Sequence, residues 1–123
     1  MAIFAVGIGG AIGAALRFFI GSLFTVATGF PFITLFINWC GSFLFGYFIN
    51  QTFLKKQQSL KLFLTTGLLG GFTTFSTFSL EAYTLFEQQH VLQAFTYILL
   101  SGVGSVSLCF LGLLLARKGG RTV

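Results

Sequence analysis

The sequence predicts an all-α integral membrane protein, and three observations carry that reading. Of its 123 residues, 55% are hydrophobic and only 7% charged, against roughly 25% charged in an ordinary soluble domain. Charged side chains are absent from 18–54, 62–80 and 88–116, and each gap reaches or exceeds the ~18 residues that mark a membrane-spanning helix. Residues 1–16 contain no Lys or Arg, so the first apolar run lacks the basic start of a cleavable leader and is expected to remain as a helix. Four spans follow, at about 3–27, 32–54, 62–87 and 91–116, in a single membrane domain covering 1–123 that leaves no room for a soluble one.

Four passes put the N-terminus, the 55–61 loop and the C-terminal tail on one side, and the short connections near 28–31 and 88–91 on the other. Lys55, Lys56, Lys61, Arg117, Lys118 and Arg121 all fall on the first side, and no Lys or Arg on the second. Cytoplasmic loops carry the excess of basic residues, so both termini of this multi-pass chain are expected in the cytoplasm, with the cell membrane as its location. That topology accounts for the net charge of +5 without any nucleic acid partner.

Within the first span, Gly9, Gly13, Arg17 and Gly21 recur every four residues and share one helical stripe, along which a second helix can approach closely. Arg17 lies near the middle of its run, where a guanidinium costs at least ~2.5 kcal/mol unless it reaches water or a partner. It is either a snorkelling or paired structural residue or a fixed positive charge near an anion route. In the second span Asn38, Ser42, Gly46 and Asn50 repeat the spacing, so that this stripe faces protein or water rather than lipid. Asn38 serves either as glue between helices or as a source of amide donors for an anion.

The third span contains "GLLGGFTTFSTFSLE", residues 67–81. Gly67, Gly70 and Gly71 weaken a helix there, and the Thr and Ser hydroxyls compete for its backbone hydrogen bonds, so a break near the middle is expected. Non-helical backbone at membrane depth survives only when buried in protein or lining a watery cavity, and the freed carbonyls near Gly70 to Thr73 need a partner such as a cation. If helix resumes beyond the break, Phe75 and Phe78 fall on one face. They are either ordinary packing or ring edges, the positive rim of the aromatic quadrupole, turned toward a partly dehydrated anion. Thr74, Ser76, Thr77 and Ser79 would add hydroxyl donors, and weak multiple contacts of this kind suit conduction.

In the fourth span Tyr97, Ser101 and Ser105 make a third polar stripe, with Gly104 and Gly112 placed for tight packing. Cys40 and Cys109 lie in separate runs without metal-ligand spacing and read as small core residues. His90, beside two Gln residues, reads as a solvated loop side chain. With that single histidine and no clustered Cys, His or Asp, nothing resembles a catalytic constellation, and an enzyme is not expected.

Three segments, "GGAIGAALRF", "TLFINWCGSFLFG" and "GLLGGFTTFSTFSLE", occur in this order and closely resemble the CrcB/Fluc fluoride channel family over roughly residues 4 to 116. The resemblance implies an antiparallel dimer of four-helix subunits in the bilayer, with two fluoride pathways and a structural sodium ion on the central axis. It places sodium-binding backbone carbonyls at Gly70 and Thr73, pore phenylalanines at Phe75 and Phe78, the pore asparagine at Asn38 and the first-helix arginine at Arg17. Ser76, Thr77 and Ser79 match polar residues beside the track, together with Tyr97 and Ser101, and Glu81 matches the acidic residue after the motif. The implied function is passive export of fluoride from the cytoplasm. Ile33 stands where family members commonly carry glycine, and the one-sided Lys/Arg distribution departs from the near balance expected of an antiparallel homodimer. The family also includes paired genes for two homologous subunits of fixed, opposite orientation, and the bias predicts that this chain is one of such a pair. Two other functions remain in view. A small proton-coupled multidrug exporter would need a carboxylate in the first span, which has none; a non-conducting accessory subunit would use its polar stripes only to bind neighbouring helices.

Overall fold

A computed structural model describes residues 1–23 and 30–119. The end of the first predicted span (24–27), residues 28–29 of the first connection and Arg121 lie outside the described residues. The elements are α1 (Ala2–Leu23), α2 (Phe32–Ile49), α3 (Thr52–Lys55), α4 (Gln58–Leu62), a π-helical turn series (Phe63–Leu69), α5 (Gly70–Phe72), α6 (Phe75–Glu87) and α7 (Val91–Gly119). No strand occurs among the described residues. Three helices, α1, α2 and α7, of 22, 18 and 29 residues, are long and apolar enough to cross a membrane.

Several boundaries differ from expectation for local reasons. The second span stops at Ile49 rather than near 54: Asn50 leaves the helix at φ −109°, ψ 9° and Gln51 is extended at φ −65°, ψ 126°, consistent with the preference of Asn for helix ends over interiors. The third region begins early, at Gln58, and stays helical through Phe72, because Leu62, Leu69 and Gly70 at the junctions of its α and π portions all keep right-handed helical angles. The fourth span, α7, runs past 116 to place Arg117 and Lys118 in its last turn, where the helix dipole favours positive charge.

The expected break in the third region is present, but the glycines do not make it. Gly67, Gly70 and Gly71 are all helical, and no described glycine has a positive φ. The chain opens one step later, at Thr73 (φ −77°, ψ 156°) and Thr74 (φ −146°, ψ 120°), where two β-branched residues suit extended backbone. Gly67 and Gly71 are used for packing instead, whereas Gly70 has nothing within 4 Å of an added Cβ among the described residues. A Cβ added at Gly9 would sit 2.5 Å from the Phe63 carbonyl oxygen and 2.9 Å from the Leu68 nitrogen, and one at Gly13 would meet the Leu68 carbonyl. In return, one at Gly67 would lie 2.8 Å from the Val6 carbonyl oxygen, and one at Gly71 would strike the Gly10 carbonyl. Backbone therefore meets backbone along both helices. Gly21, the last member of the α1 stripe, has open space around it among the described residues.

These contacts set the topology. Residues 6 to 13 of α1 run alongside 63 to 72 in the same direction. The second and seventh helices are also parallel, with Gly46 against the Cys109 backbone, Gly112 against Phe43 and Tyr47, and Gly104 beneath the Trp39 indole, whose Nε1 donates to the Leu100 carbonyl at 2.9 Å. The α6 helix packs antiparallel on α7 through Phe78 with Tyr97 and Phe86 with Phe95. Met1, the segment holding Lys55 and Lys56, and Gly119 consequently share one end of the molecule.

At the other end lie Phe30, Pro31 and the turn through His90. There Gln89 adopts a left-handed φ of 63°, His90 N–H donates to the Leu85 carbonyl at 2.9 Å and Gln89 N–H to the Phe86 carbonyl at 3.0 Å, the paired closure of a Schellman motif. His90 itself is exposed, as expected. The hydrophobic core, Leu35, Ala82, Leu85, Ala94 and Tyr97, also sits toward this end. The outer faces carry Phe4, Phe18 and Val106 at 71%, 79% and 72% exposure, apolar surface on a scale that calls for lipid or protein cover.

Candidate functional site

The site is built around the break. In a continuous helix the Thr74 N–H would donate to the Gly70 carbonyl four residues back. Here it donates to Asn38 Oδ1 at 2.8 Å, while Asn38 Nδ2 donates to the Thr74 carbonyl at 3.0 Å. One side chain of α2 thus satisfies both backbone groups of the extended residue, and the Gly70 carbonyl loses its helical donor. Thr73 turns inward on the preceding helix, its N–H and its Oγ1 each donating to the Leu69 carbonyl at 2.9 Å.

Helix restarts because Thr74 caps it. Its Oγ1 accepts from the Thr77 N–H at 3.1 Å, donates to Thr77 Oγ1 at 3.1 Å and lies 3.2 Å from Ser76 Oγ, which fills the donor and acceptor capacity of one hydroxyl. Replacing an orphan N-terminal partner in this way is what Thr does well at such positions.

Phe75 and Phe78 follow on the new helix with ring centroids 5.7 Å apart and tilted at 43°. Phe75 is 80% exposed; Phe78 is half-buried and lies 5.2 Å from the Tyr97 ring. Both rings border a groove of about 890 Å³ between α2, the 58–72 rod and α7, whose walls also include Asn38, Gly70, Thr73 and Ser101. Ser42 and Ser105, from the polar stripes of α2 and α7, line it as well. Ser101 is buried, and its hydroxyl has no partner among the described residues, an unmet polar demand on the groove wall.

Behind Phe78 stands Glu81. Thr34 Oγ1 donates to its Oε1 at 2.8 Å and the Tyr97 hydroxyl to its Oε2 at 2.9 Å, so three helices meet at one carboxylate. Thr34, Glu81, Thr84 and Gln88 border a second cavity of about 230 Å³. Thr34 lies outside the predicted site set, although the signal was present: it precedes Asn38 by four residues and extends the same polar stripe.

The predicted residues therefore divide. Asn38, Gly70, Thr73, Phe75, Phe78 and Ser101 share the groove. Ser76 and Thr77 adjoin it at the α6 cap, and Tyr97 and Glu81 form the polar contact beneath it. Ser79 is exposed and outside the groove lining. Arg17, half-buried on α1, is also outside that lining and makes no ion pair or hydrogen bond among the described residues. Those residues contain no group of three His, Cys, Asp or Glu suited to a metal; the groove wall at the break brings carbonyl and hydroxyl groups of Gly70, Thr73 and Thr74 together.

The chain matches, over residues 4–113, a family described as "CrcB-like protein, Camphor Resistance (CrcB)". It is 48% identical over 115 residues to a protein of Ruegeria sp. strain TM1040 named "Fluoride-specific ion channel FluC", covering 91% of each chain. A protein of Legionella pneumophila strain Paris with the same name is 43% identical over 117 residues, 92% of this chain and 87% of the relative. Another so named, from Pyrococcus abyssi, is 38% identical over 113 residues, 90% of this chain and 92% of the relative. The chain belongs to the CrcB family.

Proposed function

We propose that this chain is a subunit of a passive, fluoride-selective channel that lets fluoride leave the cytoplasm. One observation supports it most: at a helix break, the rings of Phe75 and Phe78 border a groove with Asn38, Thr73 and Ser101 and, among the described residues, with no Lys or Arg in its wall. Fluoride is small and strongly hydrated, so passage requires donors that replace water and surfaces that tolerate negative charge. Hydroxyls and aromatic ring edges meet both needs without trapping the ion. The relatives named as fluoride-specific channels agree with this chemistry. Outside acid turns fluoride into a permeant neutral acid that dissociates in the cytoplasm, and a passive pore is enough to release the trapped anion.

In the same reading the chain crosses the cell membrane four times with both termini in the cytoplasm. The third crossing is the broken rod from Gln58 to Glu87; its second half, 13 residues, rises about 20 Å and needs the first half to complete a ~30 Å core. The groove is then closed by a second, oppositely oriented subunit, giving two pathways. Sodium, a hard cation, suits backbone carbonyl oxygens at the break, with the Gly70 carbonyl, released from Thr74, and the carbonyl of Thr73 as the groups that would hold it. Its charge would pin the open backbone at the centre of the dimer. Nothing in this reading calls for catalysis.

The test is fluoride efflux from liposomes carrying the chain, alone and together with an oppositely biased homologue, against chloride. Fluoride release with little chloride release is expected. In Phe75→Ile the fluoride rate should fall at least roughly tenfold, the effect of about 1.4 kcal/mol on a barrier. Absence of fluoride flux from both preparations would favour a non-conducting accessory subunit instead.

A further inference from the structure

We infer that Asn38 acts as a positioning residue for the cation site at the helix break rather than as a ligand of the permeating anion; this rests on the channel reading above. The amide is committed at both ends. Its Oδ1 accepts from the Thr74 N–H at 2.8 Å and its Nδ2 donates to the Thr74 carbonyl at 3.0 Å, both within ordinary N–H···O range. What remains for an anion is a single N–H already on a nitrogen fixed by the backbone.

The clasp has a consequence four residues upstream. Thr74 N–H is the group that would otherwise close on the Gly70 carbonyl and continue the helix. By accepting that N–H, Asn38 keeps the carbonyl unclaimed and the Thr73–Thr74 backbone extended at ψ 156° and 120°. The interaction runs across 36 residues of sequence, so it also ties the break to α2, whose own fit depends on Gly41 receiving the Thr73 methyl. A side chain that holds backbone carbonyls in place for a metal governs affinity without touching the ion, and loss of such support typically costs 10–100-fold.

Two substitutions separate the roles. Asn38→Ala removes the acceptor, so Thr74 N–H can return to Gly70. Asn38→Asp keeps an oxygen for Thr74 N–H but loses the donor and adds negative charge. The measurement is the thermal unfolding temperature of the detergent-purified dimer, prepared with the oppositely biased homologue, as sodium replaces N-methylglucamine, with fluoride efflux followed in parallel. In Asn38→Ala the sodium concentration giving half the stabilising shift should rise roughly 10-fold or more, while Asn38→Asp should keep a sodium response at least as sensitive as the unaltered chain.

An unchanged sodium response in Asn38→Ala, with fluoride flux lost, would overturn the inference and return Asn38 to the anion path. If Asn38→Ala does not fold, Asn38→Asp decides alone, and a folded Asn38→Asp protein that no longer responds to sodium would overturn it. An unaltered dimer without any sodium response would overturn it too, whereas fluoride efflux from the same preparation reports separately on the channel function.

Discussion

At the residue scale, the groove depends on side chains whose polar ends are spoken for. Tyr97 is the clearest case: it is fully buried, its ring lies against Phe78 at 5.2 Å and its hydroxyl donates to Glu81 at 2.9 Å. Tyr97→Phe keeps the ring and deletes the donor to a buried-side carboxylate oxygen, and hydrogen bonds to a charged group are worth about 1.5–3 kcal/mol. A lowered unfolding temperature with helicity retained is expected by circular dichroism; no change would mean that the Thr34 hydroxyl alone satisfies Glu81. The residue types of the site were legible in the sequence because polar groups in an apolar chain are conspicuous. Their partners were not. The i,i+4 stripe brought Asn38 and Ser42 to one face, but whether Asn38 meets an ion or the backbone of Thr74 is decided by a contact between distant segments, which no local pattern contains.

At the scale of elements, helix breaking and helix packing compete for the same residue type. Glycine lowers helix propensity by ~1 kcal/mol relative to Ala, which made Gly67, Gly70 and Gly71, with the hydroxyl residues after them, grounds to expect an opening with freed carbonyls near Gly70 to Thr73. The close approach of α1 to Phe63–Phe72 needs Gly67 and Gly71 helical, and this packing prevails. The π-helical turns of Phe63–Leu69 leave no signature in periodicity, since seven residues cannot separate a 3.6 repeat from a wider one. The distinction between packed and unpacked glycines is testable on one helix. Gly13→Ala drives a methyl into the Leu68 carbonyl, whereas Gly21→Ala enters open space. Overpacking typically costs 1–3 kcal/mol, so Gly13→Ala should lower the unfolding temperature, while Gly21→Ala should leave it unchanged or raise it slightly through better helix propensity. Equal behaviour of the two would mean that α1 packs elsewhere.

For the whole molecule, the parallel pairing of α1 with the 58–72 rod and of α2 with α7 places Met1, the segment holding Lys55 and Lys56, and Gly119 at one end. Lys55, Lys56, Arg117 and Lys118 are all exposed in that region, and the opposite end, from Phe30 to the His90 turn, contains no Lys or Arg among the described residues. Such an imbalance acts during insertion, because the basic loops are retained on the cytoplasmic side. An antiparallel homodimer would need half of the copies to insert against it. A C-terminal reporter active only in the cytoplasm, compared with one active only outside, measures the outcome directly. In cells lacking any homologue the cytoplasmic reporter alone should give signal, and fluoride resistance should require a second subunit of opposite bias. Comparable signal from both reporters would instead mean that a single gene supplies both orientations. Moving the bias tests the cause: Lys55→Gln, Lys56→Gln and Lys61→Gln together should produce a mixed population if these loop charges set the orientation.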